Sequence, residues 1–323
     1  MLSTTKCTPD LQPLSEAILP FLRKPQGSEQ GPTIVLIQNG IDIEEEVHKR
    51  LVRDLKLALN IISCTAWCGT NLVEGGSKIE HGALERLDMG LYPTPNGTNV
   101  VATEMSATFY TKNKLAQAEA TFQRFVEMYN RGRGTAGPQK DIQPGRWRKV
   151  LWNAAFGGQT ALARLPVAEM LRPATLEYTV AVARKIMLEI LYVARSAGYS
   201  EEVFPAASID ETIEMTVNLY APKSGTPPDD PVLSFKPSIL LDLEAGRPME
   251  IVPIFESIVR RAREAAIETP RLDMIVAALR PAQETAIRLA RSKYGTPSDT
   301  TGSEASKPAR VVLSGLPVRK QVD

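Results

Sequence analysis

The 323-residue chain is predicted to be an α/β portion followed by an all-helical portion. Three observations carry this. Over the first hundred residues, β-branched apolar runs alternate with stretches of helical spacing, the rhythm of an α/β sheet. From about residue 112 helical periodicity dominates and few strand signals remain. The chain is also longer than one hydrophobic core usually sustains, about 250–300 residues, so two domains are expected. We assign residues 1–111 to the α/β part and 112–294 to the helical part. The tail, 295–323, is rich in Ser, Thr, Pro, Lys and Gly and is expected to be disordered.

The elements follow in order. PDLQPLSEAILPFLRK places Leu11, Leu14, Ile18 and Leu22 at helical spacing. TIVLIQNG (33–40) is a β-branched apolar run ending in Asn-Gly, a buried strand and its turn. Asp42 and Glu44 to Glu46 then suit a helix N-terminus. NIISCTAW (60–67) is a second strand, and KIEHGALERLDMGLY (78–92) reads as an alternating pair. Helices are expected over 114–130, 146–163, 173–197, 208–220, 237–245, 248–266 and 269–292, with KSGTPPDDP (223–231) an exposed loop. RGRGTAG, with Gly132, Gly134 and Gly137, formally matches the dinucleotide pattern G-x-G-x-x-G. That pattern must follow a strand and open a helix. Here an amphipathic helix precedes it and Pro138 follows, so it reads as a flexible linker.

Composition excludes several functions. The net charge of +1 supplies no field for nucleic acid or membrane. No apolar run approaches the roughly 20 residues that cross a bilayer. Pro9, Asp10, Pro13 and Glu16 interrupt the place where a signal peptide would be apolar. Three cysteines, Cys7, Cys64 and Cys68, make no disulfide framework and suit a reducing, cytoplasmic setting. With His48 and His81 the only histidines, a metal site has few ligands and none is expected. A catalytic acid, if there is one, is Lys, Asp, Glu or Tyr.

Three constellations could carry chemistry. Within GRWRKVLWNAAFGGQTALAR (145–164), Lys149 and Asn153 stand one turn apart on one face of an apolar helix. An ammonium among apolar neighbours has a lowered pKa and can donate a proton near neutrality. Taken alone, such a pair more often lies on a solvent-facing edge. In KPSILLDLEAGRPMEIVPI (236–254), Ser238 could cap a helix, and Glu250 could cap the next one or serve as counter-charge to a Lys or a ligand hydroxyl. Asn39-Gly40 ends a strand, and ligands of α/β sheets bind at strand ends.

In this order, TTK (4–6), IQNG (37–40), the K-x-x-x-N of Lys149 and Asn153, and P-S-x-L-x-D…R-x-x-E from Pro237 to Glu250 resemble the ketopantoate reductase (2-dehydropantoate 2-reductase) family. MLEILYVARSAGY (187–199) is also similar, and the resemblance covers roughly residues 1–285. It implies a partial Rossmann-type domain followed by a helical C-terminal domain closing over a 2-oxo acid, with NADPH as cofactor. By the same resemblance Lys149 protonates the carbonyl oxygen. Asn39, Asn153 and Ser238 contact substrate, and Lys6, Asn39 and Glu250 lie on the cofactor side. Oligomeric state is not readable from the residues, and a homodimer is the possible assembly.

Two departures qualify the resemblance. The family usually has a second Asn one turn beyond Asn153, where this chain has Gly157, which points to a related acid such as ketoisovalerate. The family also opens with a strand, a G-x-G-x-x-G turn and a helix. This chain starts at LSTTK, a later strand, so on the order of 60 residues of that opening are expected to be missing. The alternative reading is therefore a non-catalytic remnant that binds a small acid or a partner.

Overall fold

The computed structural model describes residues 1–23, 31–73, 77–95 and 109–294. The tail predicted to be disordered, 295–323, lies outside them. Five strands form one mixed sheet in the order β1 (Leu2–Ser3), β2 (Ile34–Ile37), β3 (Ile61–Val73), β4 (Lys78–Tyr92) and β5 (Ala136–Pro138). The strands β1, β2 and β3 are parallel, β4 runs antiparallel to β3, and β5 pairs parallel to β4. KIEHGALERLDMGLY is one 15-residue strand rather than a pair, and β3 continues past residue 67 to form a long hairpin with it. RGRGTAG is likewise not a linker, because it runs from a helix end into β5. A side chain at Gly137 would displace the Asp88 carboxylate, which lies 2.1 Å from an ideal Cβ there.

Alternation along the strands explains the layers. Ile34, Leu36 and Ile61 point to a core shared with α1 (Leu14–Ile18) and α2, Ile43–Val47, which continues as a π-helical stretch to Asp54. Val35, Ile62 and Cys64 point to the other face and meet Ala118, Phe122 and Val126 of α3 (Lys112–Arg131). Helix α3 and strand β5 follow residue 112 in the chain yet pack with the sheet.

The helical unit is built on α4 (Gln143–Ala163), α5 (Val167–Met170), α6 (Leu176–Ser196), α7 (Ala207–Tyr220), α8 (Pro231–Ser234), α9 (Ser238–Glu244), α10 (a π-helical turn Val252–Glu256 running into Ser257–Glu264) and α11 (Pro270–Tyr294). The central element is α4, whose Trp147, Val150, Leu151, Ala154 and Phe156 are all buried in the helical core. Gly158 lets two helices close on it, since a Cβ there would lie 2.9 Å from Ile275 and 3.2 Å from Phe255. Among the described residues no helix is long and apolar enough to cross a membrane, and no cluster of His, Cys, Asp and Glu could hold a metal.

One side chain joins the two units. Arg146, in the first turn of α4, is 1% exposed. Its guanidinium pairs with Glu44 at 2.7 Å. It also donates to Ser63 Oγ at 2.8 and 2.7 Å and to the carbonyls of Gln38, Gly40 and Cys64 at 2.9–3.1 Å. The Asp42 carboxylate adds a second joint, accepting from Arg260 and, bidentately, from Arg261 of α10. Gly40, at φ +88°, allows the close approach. A Cβ there would sit 2.4 Å from Pro253, whose carbonyl accepts the Ile41 N–H at 3.0 Å.

A buried ion pair with one partner removed strands the other charge, at a cost of about 3–5 kcal/mol. Arg146→Met is therefore expected to lower the unfolding free energy by about that amount in urea titration, and adding Glu44→Gln to recover part of it. A loss under about 1 kcal/mol would show that the joint does not depend on this guanidinium.

Candidate functional site

The carboxyl ends of β1 and β2 and the projecting part of β3 face α4, α7 and the start of α9 across a cavity of about 350 Å³. This is where open α/β sheets bind ligands. Lys6, Asn39, Lys149, Asn153, Ser238 and Glu250 all line it. These six side chains alone come from four separate stretches of the sequence, and residues 66–70 with Met215, Leu219 and Tyr220 line the cavity as well.

Lys149 is the cation at its centre. Its Nζ donates to the Ala66 carbonyl of β3 and lies 5.5 Å from the centre of the Trp67 ring. Burial pushes its pKa down to about 8, and the nearby Arg146 charge acts in the same direction. Cys68, Glu250 and Asp88 pull the other way. One carbonyl uses one of the three N–H bonds of an ammonium, so two are free for a ligand. Asn153 is one helical turn further on, so α4 presents both groups to the same space. Among the described residues, neither the Asn153 amide nor the exposed Ser238 hydroxyl is engaged by another side chain. Ser238 does not cap α9: Pro237 is the N-cap residue, and no side chain closes that end.

Glu250 is a hub rather than a helix cap. It is 3% exposed and sits ahead of α10. One oxygen accepts the Cys7 N–H at 3.1 Å, and the other accepts from Asn39 Nδ2 at 3.2 Å with Lys6 Nζ 3.7 Å away. Lys6 makes its closer contact, 2.6 Å, with the buried carboxylate of Asp242, which also pairs with Arg247. Asp242 reads in the sequence as an early-helix acid, but it is the main counter-charge of Lys6.

Two groups of residues at this site were missed in the sequence. One is the Arg146–Glu44–Ser63 network, for which an arginine three residues before Lys149 in an apolar helix was the available signal. The other is a wall of rings from Trp152, Tyr220 and Phe235, with ring centres 4.7–6.4 Å apart. Its members are 15 to 83 residues apart in the chain, so no local pattern announces them.

Glu250→Ala leaves the buried Cys7 N–H and the Asn39 amide without their acceptor. The expected cost is about 2–4 kcal/mol in denaturant unfolding, with Glu250→Gln costing less because it keeps one oxygen acceptor.

Comparison with known proteins places the chain among similar sequences and folds. The family model described as the ketopantoate reductase PanE/ApbA C-terminal domain matches residues 141–283. An uncharacterised protein of Saccharomyces cerevisiae is 27% identical over 273 residues, which cover 81% of this chain and 65% of that protein. A 2-dehydropantoate 2-reductase from Nostoc is 23% identical over 262 residues, covering 80% of this chain and 67% of the relative. The crystal structure of the 2-dehydropantoate 2-reductase from Methylococcus capsulatus superposes with a TM-score of 0.53 at 28% identity, over 79% of this chain and 66% of that one. The chain thus spans about two thirds of the length of these relatives. Its helical unit belongs to the ketopantoate reductase family, and the sheet with its helices followed by that unit has the family's fold.

Proposed function

We propose that this cleft reduces a 2-oxo acid, ketopantoate or a related branched-chain acid such as ketoisovalerate, to the 2-hydroxy acid, with NADPH as cofactor and Lys149 as proton donor. The observation that carries the reading is an enclosed ammonium, with its pKa pushed down to about 8, facing a cavity beside an unengaged amide. At pH 7 a group of that pKa is roughly nine-tenths protonated and still gives up its proton readily. Lys149 Nζ stabilises the negative charge that develops on the carbonyl oxygen and delivers the proton to it. Asn153 and Ser238 hold the carboxylate and carbonyl in place.

When bound, NADPH supplies the hydride to the carbonyl carbon. Lys6, Asn39 and Glu250, at the strand-end side of the cavity, are the groups that would meet its nicotinamide and ribose. Among the described residues no G-x-G-x-x-G turn stands between a strand and a helix, so no residue of this chain is assigned to the pyrophosphate. A second reading is a non-catalytic protein that binds a small acid through the same Lys149 and Asn153. A cytoplasmic setting fits the unpaired Cys7, Cys64 and Cys68. A homodimer is part of the proposal, and Tyr178, Val182 and Tyr192 on α6 supply exposed apolar surface for it.

Titration of NADPH fluorescence, followed by turnover of both acids, tests the reading. Saturable binding is expected, with Lys149→Ala binding the cofactor equally while kcat falls by about 10²–10⁴. The reduction should slow as pH rises through about 8, because Lys149 then loses the proton it donates. A folded chain that binds acid but no NADPH would favour the second reading instead.

A further inference from the structure

We propose that the acid turned over at this site carries an aromatic side chain, recognised by Trp152, Tyr220 and Phe235. This rests on the reductase chemistry read above and departs from it in the acid's side chain, aromatic instead of branched aliphatic. Helix α4 rises about 1.5 Å per residue, so Lys149, Trp152 and Asn153 mark out about 6 Å along one side of the cavity. The cation and the amide fix the 2-oxo acid head. Whatever the acid carries beyond its carbonyl then meets the next part of the wall.

That part is built of rings. Tyr220 and Phe235 stack at 4.7 Å and 20°, and Trp152 lies 6.4 and 6.3 Å from them. Leu219 and Leu241 line the same cavity. Ring faces and edges favour another ring over an aliphatic branch of similar size. Gly157 completes the arrangement. An ideal Cβ there would lie 3.2 Å from Ile239 Cγ2 and 4.0 Å from Pro237, so the space beside α4 is filled by apolar groups of the α9 segment. Beyond Asn153, that face of α4 offers no polar group to a hydroxyl on the acid's side chain.

Isothermal titration of the full chain with phenylpyruvate, ketoisovalerate and ketopantoate, together with kcat/KM for each, tests this. Phenylpyruvate is expected to bind at least tenfold more tightly than either aliphatic acid. Phe235→Ala should bring that ratio close to one, with Phe235→Leu as the variant to use if the alanine protein does not fold. A ratio that stays at tenfold or more in a folded variant would overturn the role given to the wall. Equal or tighter binding of ketopantoate or ketoisovalerate, with turnover, would overturn the aromatic preference and leave the reductase reading standing. Binding of none of the three acids would overturn both.

Discussion

The buried guanidinium of Arg146 is the constraint on which the rest depends. An isolated charge in a protein interior is expensive, so it persists only where its donors are met. Here Glu44 of α2, Ser63 and three backbone carbonyls meet them, and all but Glu44 lie on or just beyond β2 and β3. Satisfying Arg146 therefore sets where α4 begins relative to the strand ends. Lys149 and Asn153 follow on the same helix, so the register of the cavity is fixed by a residue that does not line it. The Asp42–Arg261 pair and the close contact of Gly40 with Pro253 hold the same two units together further along.

A second balance operates inside the cavity. Lys149 and Lys6 bring two cations to one cleft, and only Lys6 has a carboxylate in direct contact, Asp242. Lys149 has a carbonyl and a ring face, which solvate an ammonium less fully than water does. Its lowered pKa is the result, and a lowered pKa is what a proton donor at neutral pH needs. Glu250 stands between these groups and is held by the Cys7 N–H and the Asn39 amide, so the sheet side of the cleft is braced by a residue of the helical unit. Burial thus acts differently at two nearby positions: it lowers the pKa of Lys149, while hydrogen bonds hold the buried Glu250 in place.

Local physics made the elements legible in the sequence. Continuous β-branched apolar runs found the parallel strands β2 and β3, which are buried on both faces where they pair with each other. The period-3.6 pattern found the long helices α3, α4, α6, α7 and α11, because one-sided burial writes that period into the chain. The K-x-x-x-N spacing placed Lys149 and Asn153 on one face for the same reason. What failed depended on partners distant in sequence. β5 was read as a linker because three residues bearing two small side chains and a proline look like a turn until a neighbouring strand supplies the pairing. Ser238 was read as a cap because its position after Pro237 was visible, while the orientation of α9 was not.

The sequence by itself determined the α/β-then-helical order, the faces of the helices and the identity of the polar groups that line the cleft. The first two follow from short-range periodicity and residue chemistry, and the third from the resemblance to a known family. Only the tertiary structure decided that Lys149 faces the cavity rather than water, that Asp242 answers Lys6, and that Trp152, Tyr220 and Phe235 meet as one wall. Those outcomes depend on helix packing and on buried charges finding acceptors tens to hundreds of residues away, and such pairings leave no periodic trace in the chain.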